Sequence, residues 1–173
     1  MLIGLTGKAG AGKSFAAKRL IEKHGFVLIK FADPLKNMLR ALGLTDDHLE
    51  GHLKEVPCNI LAGKTPRFAM QTLGTEWGRN IIDDQLWLNQ FWRRATAPGM
   101  RNVVCDDVRF PNEADLIKQI GGHIVHITGS KNLSLHTHAS ESYTLPYHLV
   151  IENDFGEQFV KDIDNVGDIL LAA

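Results

Sequence analysis

The chain alternates between short runs of apolar residues and longer stretches in which apolar residues recur at helical spacing. The short runs, bounded by glycine or polar residues, predict buried strands at 2–6, 26–31, 102–107, 123–128 and 147–151. The periodic stretches predict helices at 13–24, 33–42, 65–80, 83–97, 112–120 and 159–170. Strands separated by helices indicate right-handed βαβ units, and therefore an α/β fold in which a parallel five-stranded sheet lies between two helical layers.

Capping and turn residues set the expected helix boundaries. Asp33 and Thr65 each precede a proline, the pattern of an N-cap followed by proline at the first helical position, and Gly25 is a natural stop for the first helix. Residues 44–64 carry little periodicity and predict a loop-rich excursion with one helical turn. Trp92 lies on the apolar stripe of its helix, so we expect it in the core.

The composition is that of one globular domain spanning residues 1–173. Lys and Arg total 19 and Asp and Glu total 20, and the resulting net charge of −1 argues against duplex nucleic acid as the main partner. No apolar run approaches the roughly 18 residues of a membrane span, and the N-terminus lacks a signal-peptide pattern. Two cysteines cannot build a disulfide framework, so we expect a cytoplasmic protein.

The most specific motif lies between the first strand and the first helix, where residues 7–14 read GKAGAGKS and match G-x-x-x-x-G-K-[ST]. Glycines let backbone N–H groups point into one concavity that holds phosphate oxygens, and the following helix adds the positive end of its dipole. Lys13 is expected to neutralise the β- and γ-phosphates, and Ser14 to ligate Mg²⁺. The predicted nucleotide-phosphate site comprises Gly7, Ala9, Gly10, Ala11, Gly12, Lys13, Ser14 and Phe15.

A P-loop alone leaves several classes of protein open. The chain contains no N-K-x-D tetrapeptide, which a regulatory GTPase uses to read guanine. A D-x-x-G match at 164–167 lies inside the last predicted helix rather than after an early strand. Motor and transporter ATPases need more chain than this, so the best fit is a small kinase that moves the γ-phosphate of ATP to a small acceptor.

Three strings downstream of the P-loop are more specific than the P-loop itself: FADPLK at 31–36, QTLGTEWGR at 71–79 and DVRFPNEA at 107–114. Together with HASE at 138–141 and IEND at 151–154, they make the chain resemble the phage-type deoxynucleoside monophosphate kinases over nearly its whole length. The resemblance implies a nucleoside-monophosphate-kinase-like fold and the reaction of ATP with a dNMP to give ADP and a dNDP.

The same resemblance implies how the chain is organised. A P-loop core is expected to carry an acceptor-binding helical region at about 33–98 and a short lid at about 129–146. Small-molecule nucleotides are the expected partners, with no role for duplex nucleic acid or a membrane. Related enzymes make a homodimer plausible, and a phage-encoded chain would act in the host cytoplasm.

The acceptor phosphate brings about two negative charges, so its site requires arginines with bidentate reach. Arg79 ends a predicted helix, and Arg109 follows the C-terminal end of a strand, where open parallel sheets bind ligands. The plainer alternatives are a solvated cation at a helix end for Arg79 and a surface ion pair for Arg109. Lys36 either faces the acceptor or is solvated on its helix.

Asp33 also has two interpretations, a helix cap or an acid that orients the acceptor, and one carboxylate can do both. Glu113 is either an acid in the first turn of a helix or an acceptor contact. Trp77 and Trp87 are each either a stacking surface for a base or part of the core, and family placement adds Phe68 and Gln71 as base contacts. The acceptor-binding set is therefore Asp33, Lys36, Phe68, Gln71, Trp77, Arg79, Arg109 and Glu113.

Two adjacent aspartates end the third predicted strand, across from the P-loop. A carboxylate there holds Mg²⁺ directly or through water in the manner of a Walker-B aspartate. The apolar run before the pair points to Asp106, whereas the resemblance points to Asp107, and we favour Asp107. The predicted catalytic set is Lys13, Arg79, Asp107 and Arg109, with Ser14 and Asp107 at the metal.

The segment between the fourth and fifth predicted strands is expected to form the lid. It holds Lys131, His136 and His138 but no arginine, which departs from the cation-rich lids of related kinases. Lys131 is one candidate for the cation that meets the transferring phosphate, and Arg93 or Arg94 of the preceding helix are the others. Which of them does so stays open.

Asn153 follows the fifth strand, where related kinases pack the adenine of ATP, and is therefore added to the ATP-binding set. Two other functions stay open. Dephospho-CoA kinases begin with a similar strand and P-loop, and Asp33 would then be the general base for a ribose hydroxyl, although the string at 71–79 argues against this. A nucleotide-binding regulator without acceptor-dependent turnover is the second.

Overall fold

The computed structural model describes residues 1–129 and 145–172. Its sheet contains β1 (Leu2–Thr6), β2 (Val27–Leu28), β3 (Val103–Cys105), β4 (His123–Thr128) and β5 (Leu149–Glu152). The helices in these residues are α1 (Lys13–His24), α2 (Asp33–Ala41), α3 (Asp46–Leu49), α4 (Pro66–Gln71), α5 (Leu86–Ala95), α6 (Pro111–Gln119) and α7 (Glu157–Ala172). Short 3₁₀ helices at His52–Glu55 and Asn59–Leu61 and a π-helical segment at Thr72–Ile82 complete the described elements. None of these helices is long and apolar enough to cross a bilayer.

The strands are all parallel and lie in the order β2-β3-β1-β4-β5. Leu2 pairs with Val103 and Ile3 pairs with His123, so β1 occupies the middle of the sheet between strands that come much later in the chain. The predicted α/β fold with a parallel five-stranded sheet is confirmed. The carboxyl ends of its strands share one edge, which is where ligands bind in open sheets of this kind.

The chain divides into two compact units, and the first one contains the sheet. It comprises Met1–Lys30 together with the chain from Trp92 onward. Ile3 and Leu5 of β1 are buried in one cluster with apolar side chains of α1 and α7. Gly4, which alternates with them along the strand, faces Ile117 of α6. Helices therefore cover both faces of the sheet, as the three-layer prediction expected.

An ionic cluster ties α7 to α1 within this unit. The guanidinium of Arg19 makes two 2.8 Å hydrogen bonds to the carboxylate of Asp164, and Lys23 Nζ lies 3.1 Å from the same carboxylate. These cations, Arg19 foremost, hold the pKa of Asp164 well below its ordinary value. Three positions later, Gly167 lies against the ring of His24. The D-x-x-G match at 164–167 is therefore one helical face that packs on α1.

The second unit comprises Phe31–Phe91 and has a core of its own. Apolar side chains of α2, α3 and α5 meet there with the residue that links α2 to α3: Leu35, Leu39, Leu44, Leu49 and Trp87. The cap predicted at Thr65 is present, because its side chain accepts a hydrogen bond from Phe68 N. Residues 44–64, where one helical turn was expected, form α3 and the two 3₁₀ helices.

The string at 71–79 folds mostly as a π-helix, whose wider turns are rare and are frequently found at functional sites. Trp87 explains the local geometry. Its indole N–H donates a 2.8 Å hydrogen bond to the carbonyl of Gly74. Gly78 lies against the indole so closely that a Cβ there would be 2.6 Å from the ring. The buried Trp87 side chain thus donates to the backbone carbonyl of Gly74. One turn later it leaves room only for a glycine, at position 78.

Three local predictions differ from the structure. Asp33 is not an N-cap: Ala32 occupies that position, and Asp33 lies in the first turn of α2, where the helix dipole favours a carboxylate. Trp92 is 48% exposed, because the buried stripe of α5 is centred on Trp87 and Phe91 and places Trp92 at its margin. Only Val27–Leu28 of the second apolar run pairs with β3.

Candidate active site

The P-loop connects β1 to α1, and its glycines adopt the backbone conformations that side chains disfavour. Gly7, Gly10 and Gly12 all have positive φ, of 138°, 77° and 105°. A hydrogen bond of 3.1 Å from Ala11 N to the carbonyl of Lys8 closes the turn. The loop therefore has the curled backbone on which phosphate binding by successive amides depends.

Lys13 begins α1 and turns its ammonium group back over this loop. Its Nζ donates to the carbonyls of Gly7, at 2.6 Å, and Lys8, at 2.9 Å. These bonds place the positive charge at the loop that holds phosphates. A bound triphosphate would offer the same ammonium group oxygens of much higher negative charge.

Ser14 links the P-loop to the end of β3. Its hydroxyl donates a 2.9 Å hydrogen bond to Oδ2 of Asp106, a residue that is only 5% exposed. Lys30 Nζ lies 3.2 Å from the other oxygen, Oδ1, as an ion pair. Within the described residues, Oδ1 is buried and accepts no hydrogen bond. Hydroxyl and carboxylate oxygens at this spacing fit a hard divalent cation such as Mg²⁺.

Asp107 lies next to this pair but has different contacts. The thiol of Cys105 donates to its Oδ1 at 3.1 Å. Burial raises the pKa of that thiol well above its ordinary value, and the charge of Asp107 adds to the effect. Alternation along the strand end therefore brings Asp106, rather than the favoured Asp107, against Ser14.

Glu113 serves the loop that carries Arg109. Its Oε2 accepts hydrogen bonds from the backbone N–H groups of Arg109, at 2.7 Å, and Phe110, at 3.1 Å. The Glu113 side chain is buried at the start of α6, whereas Arg109 is exposed. Glu113 thus fixes the backbone from which Arg109 extends. This is the first of its two predicted roles, an acid in the first turn of a helix; the other was contact with the acceptor.

The other predicted acceptor residues belong to the second unit. Asp33, Gln71, Trp77 and Arg79 are half-buried there, and Arg79 Nη1 donates to a backbone carbonyl at 3.4 Å. Trp77 lies 6.2 Å from the buried Trp87, ring centre to ring centre. Binding of the acceptor by these four residues stays a prediction.

Two further acceptor candidates have charged neighbours in the same unit. Lys36 is buried and forms an ion pair with Glu50, so it is not the solvated lysine of the plainer interpretation. Phe68 is 50% exposed, and Lys64 Nζ lies 5.5 Å from its ring centre. Both side chains therefore have contacts that an acceptor nucleotide would have to share or replace.

Several contacts near the P-loop were not evident from the sequence. Asn153 is buried, and its amide donates to the carbonyl of Ala11 instead of standing free beside a base. Burial lowers the pKa of His126 on β4, and the charge of Lys13 lowers it further. Phe15 stacks on Phe159 at 5.9 Å. No motif marks these pairs, because their members lie in separate segments that only the sheet brings together.

The predicted lid residues Lys131, His136 and His138 lie outside the described residues. Of the alternative cations, Arg94 donates to the backbone carbonyl of Lys30. This contact places Arg94 at the end of the segment that follows β2. It also gives the guanidinium a structural role in the first unit.

Matches to known proteins agree with this geometry. A family model described as deoxynucleotide monophosphate kinase matches residues 45–159. A protein of Acanthamoeba polyphaga mimivirus, provisionally named deoxynucleotide monophosphate kinase, is 35% identical over 193 aligned residues, which cover 98% of this chain and 99% of that protein. The deoxynucleoside-5'-monophosphate kinase of Escherichia phage T5 is 34% identical over 55 residues, or 32% of this chain and 22% of that enzyme. The chain belongs to the deoxynucleotide monophosphate kinase family.

Proposed function

We propose that this kinase transfers the γ-phosphate of ATP to a deoxynucleoside 5'-monophosphate and releases ADP and the dNDP. The observation that carries the proposal is the contact between Ser14 and Asp106 beside a complete P-loop. It joins the hydroxyl and the strand-end carboxylate that P-loop enzymes use around the donor phosphates. Membership of the family supports the choice of acceptor.

The P-loop residues hold the donor. Backbone amides of residues 7–14 bind the phosphate oxygens, and Lys13 exchanges its bonds to Gly7 and Lys8 for the β- and γ-phosphates. Phe15, exposed and stacked on Phe159, flanks the nucleotide at the start of α1. Phosphoryl transfer requires mainly positioning and neutralisation of charge, and these groups supply both at the donor.

Ser14 and Asp106 are the residues that would hold Mg²⁺, with Asp107 as the neighbouring carboxylate. When bound, the ion neutralises charge on the β- and γ-phosphates. Lys30 Nζ forms an ion pair with Oδ1 of Asp106, 3.2 Å away. The Asp106 carboxylate would ligate the ion directly or through water.

At the acceptor, Arg79 and Arg109 bind the monophosphate, and Glu113 acts by fixing the backbone of Arg109. Asp33 and Lys36 orient the acceptor, and Phe68, Gln71 and Trp77 contact its base. No general base is required, because the acceptor phosphate is already an anionic nucleophile. The proposed partners are small-molecule nucleotides, and a cation from the lid or from the helix that carries Arg93 and Arg94 completes the site.

A panel of acceptors tests this function. The purified chain is given ATP and Mg²⁺ with dGMP, dTMP, dCMP, dAMP or dephospho-CoA, and ADP formation is measured by a coupled assay. We expect turnover with at least one dNMP, and its loss in Lys13→Ala. Lys18→Ala is the matched control, because Lys18 is an exposed residue of α1 paired with Glu22 at 3.6 Å.

Three other results of the acceptor panel would refute the proposal. Turnover with dephospho-CoA alone would identify the alternative kinase. ATP binding without turnover of any acceptor would indicate a nucleotide-binding regulator. Full dNMP-dependent activity in a folded Lys13→Ala protein would show that the P-loop assignment is wrong.

A further inference from the structure

The side chain of Asn153 bridges the end of β5 and the P-loop. Its Nδ2 donates a 2.8 Å hydrogen bond to the carbonyl of Ala11, and both residues are buried, at 6% and 1% exposure. Its Oδ1 accepts a 2.8 Å hydrogen bond from Phe155 N, and its own backbone N–H donates to Thr128 O at 3.0 Å. The amide orientation is therefore fixed by its partners: nitrogen toward the P-loop, oxygen toward the turn after β5.

This bond determines the direction of the next peptide group. The peptide that joins Ala11 to Gly12 is planar and trans, so its C=O and N–H point in opposite directions. Holding the Ala11 carbonyl on Asn153 turns the Gly12 N–H away from Asn153. In a P-loop, successive backbone N–H groups of this segment form the concavity that binds phosphate oxygens.

Gly12 is adapted to the same contact. A Cβ at this position would lie 2.4 Å from Asn153 Nδ2, and its φ of 105° is one that other residues rarely adopt. The glycine thus allows the amide of Asn153 to approach the loop. Without such an anchor a glycine-rich loop has many backbone conformations, and ordering it on ligand binding costs free energy.

We propose that Asn153 is a positioning residue that holds the Ala11–Gly12 peptide in the orientation that binds the donor phosphates. It acts on the phosphates through the backbone and makes no contact with the adenine. This inference rests on the proposed function only in naming ATP as the donor. It replaces the adenine contact expected for Asn153 with a role in the phosphate cradle.

Inorganic tripolyphosphate separates the two roles because it has phosphates but no base. The binding of ATP and of tripolyphosphate, each with Mg²⁺, is measured by calorimetry for wild type, Asn153→Leu and Asn153→Ala. We expect both variants to bind both ligands about tenfold more weakly, the loss expected for one unsatisfied buried carbonyl. The KM for the dNMP is expected to stay within about twofold of wild type.

Asp154→Ala is the matched control. Asp154 lies in the same turn, and its Oδ1 accepts hydrogen bonds from Gly156 N and Phe159 N at the start of α7. We expect this variant to lose stability but to keep its tripolyphosphate affinity. Where Asn153→Leu does not fold, Asn153→Ala carries the test, because it removes the amide donor without adding bulk or charge.

Weaker binding of ATP with unchanged binding of tripolyphosphate would overturn the proposal, because it would place Asn153 at the base. Unchanged affinity for both ligands with only a lower melting temperature would also overturn it and leave a purely structural role. Both readouts are binding measurements, so they stand even if no dNMP is turned over. Failure of the proposed function would appear instead in the acceptor panel.

Discussion

Ser14 and Asp106 are 92 positions apart in the chain, yet the hydroxyl of one donates to the carboxylate of the other over 2.9 Å. The contact distinguishes two adjacent aspartates, because Asp106 accepts from the P-loop hydroxyl whereas Asp107 accepts from the thiol of Cys105. For the proposed metal site it therefore selects Asp106.

Replacement of each aspartate separately tests that selection. We expect Asp106→Asn to lower kcat roughly 100-fold and to raise the Mg²⁺ concentration needed for half-maximal rate, because a ligating carboxylate is lost. Asp107→Asn is the matched control, with a smaller effect on both quantities. Steady-state kinetics over a Mg²⁺ titration provides the measurement. A larger effect for Asp107→Asn would assign the metal to Asp107.

The contact between Gly78 and Trp87 predicts a steric effect. In Gly78→Ala the new Cβ would lie 2.6 Å from the indole, and we expect a loss of about 1–3 kcal/mol in the free energy of unfolding. Gly74→Ala is the control, because its Cβ would meet only the flexible end of Leu35, at 3.2 Å. Urea unfolding measures both. Equal stability of the two variants would show that the indole moves aside easily.

Glu113 predicts an effect on backbone order near Arg109. Glu113→Ala removes the acceptor of two N–H groups, and we expect a cost of about 1–3 kcal/mol in stability together with a higher KM for the dNMP. Asp115→Ala on the same helix removes only an exposed ion pair with Lys118, so its cost should be below about 0.5 kcal/mol. Urea unfolding and dNMP titrations measure the two effects. An unchanged KM in Glu113→Ala would separate Arg109 from the acceptor.

Asp164 predicts a pH dependence of stability. Its pKa is depressed in the folded state by Arg19 and Lys23, so its contribution is present above its unfolded pKa of about 3.9 and is lost as the pH falls toward the folded value. We expect Asp164→Asn to be less stable than wild type by a constant amount from pH 5 to 8, and this difference to shrink below about pH 4. Urea midpoints at several pH values measure it.

Glu22→Gln is the control for this experiment. Glu22 pairs with Lys18 on the exposed face of α1 at 3.6 Å, so its removal should change stability little at any pH. A difference between wild type and Asp164→Asn that persists unchanged at pH 3.5 would contradict the assignment. It would show that the bond to Arg19 does not depend on the charge of Asp164.

The hydrophobic pattern predicted most of the fold, because the short apolar runs and the apolar residues at helical spacing both mark the side chains that become buried. It could not predict where within an apolar run the strand lies: the second strand is Val27–Leu28, and Ile29 N adds a hydrogen bond to Val104 O of β3, whereas Phe26 is buried by its side chain. It also could not predict the π-helical segment, since that geometry depends on a hydrogen bond from Trp87, a residue outside it. Trp92 shows that a large side chain at the margin of a stripe can be exposed.

The curled backbone of the P-loop was predictable, because the one contiguous string at 7–14 contains the glycines that form it. Contacts between distant segments were not. The choice between Asp106 and Asp107 depends on which side of the strand end faces Ser14. The contact of Asn153 with Ala11 depends on the order of the strands in the sheet. Sequence spacing contains neither of these relationships.

The central place of β1 in the sheet has a consequence for how the protein is made. A ribosome delivers β1 first, but its two neighbours, which pair with it at Val103 and His123, emerge only after the whole of Phe31–Phe91. That second unit is contiguous, so all of its contacts are available before β1 has any partner. Pairing β1 then closes a loop of roughly a hundred residues, which makes it a slow step. The strand that feeds the P-loop is therefore synthesised well before either of the strands that pair with it.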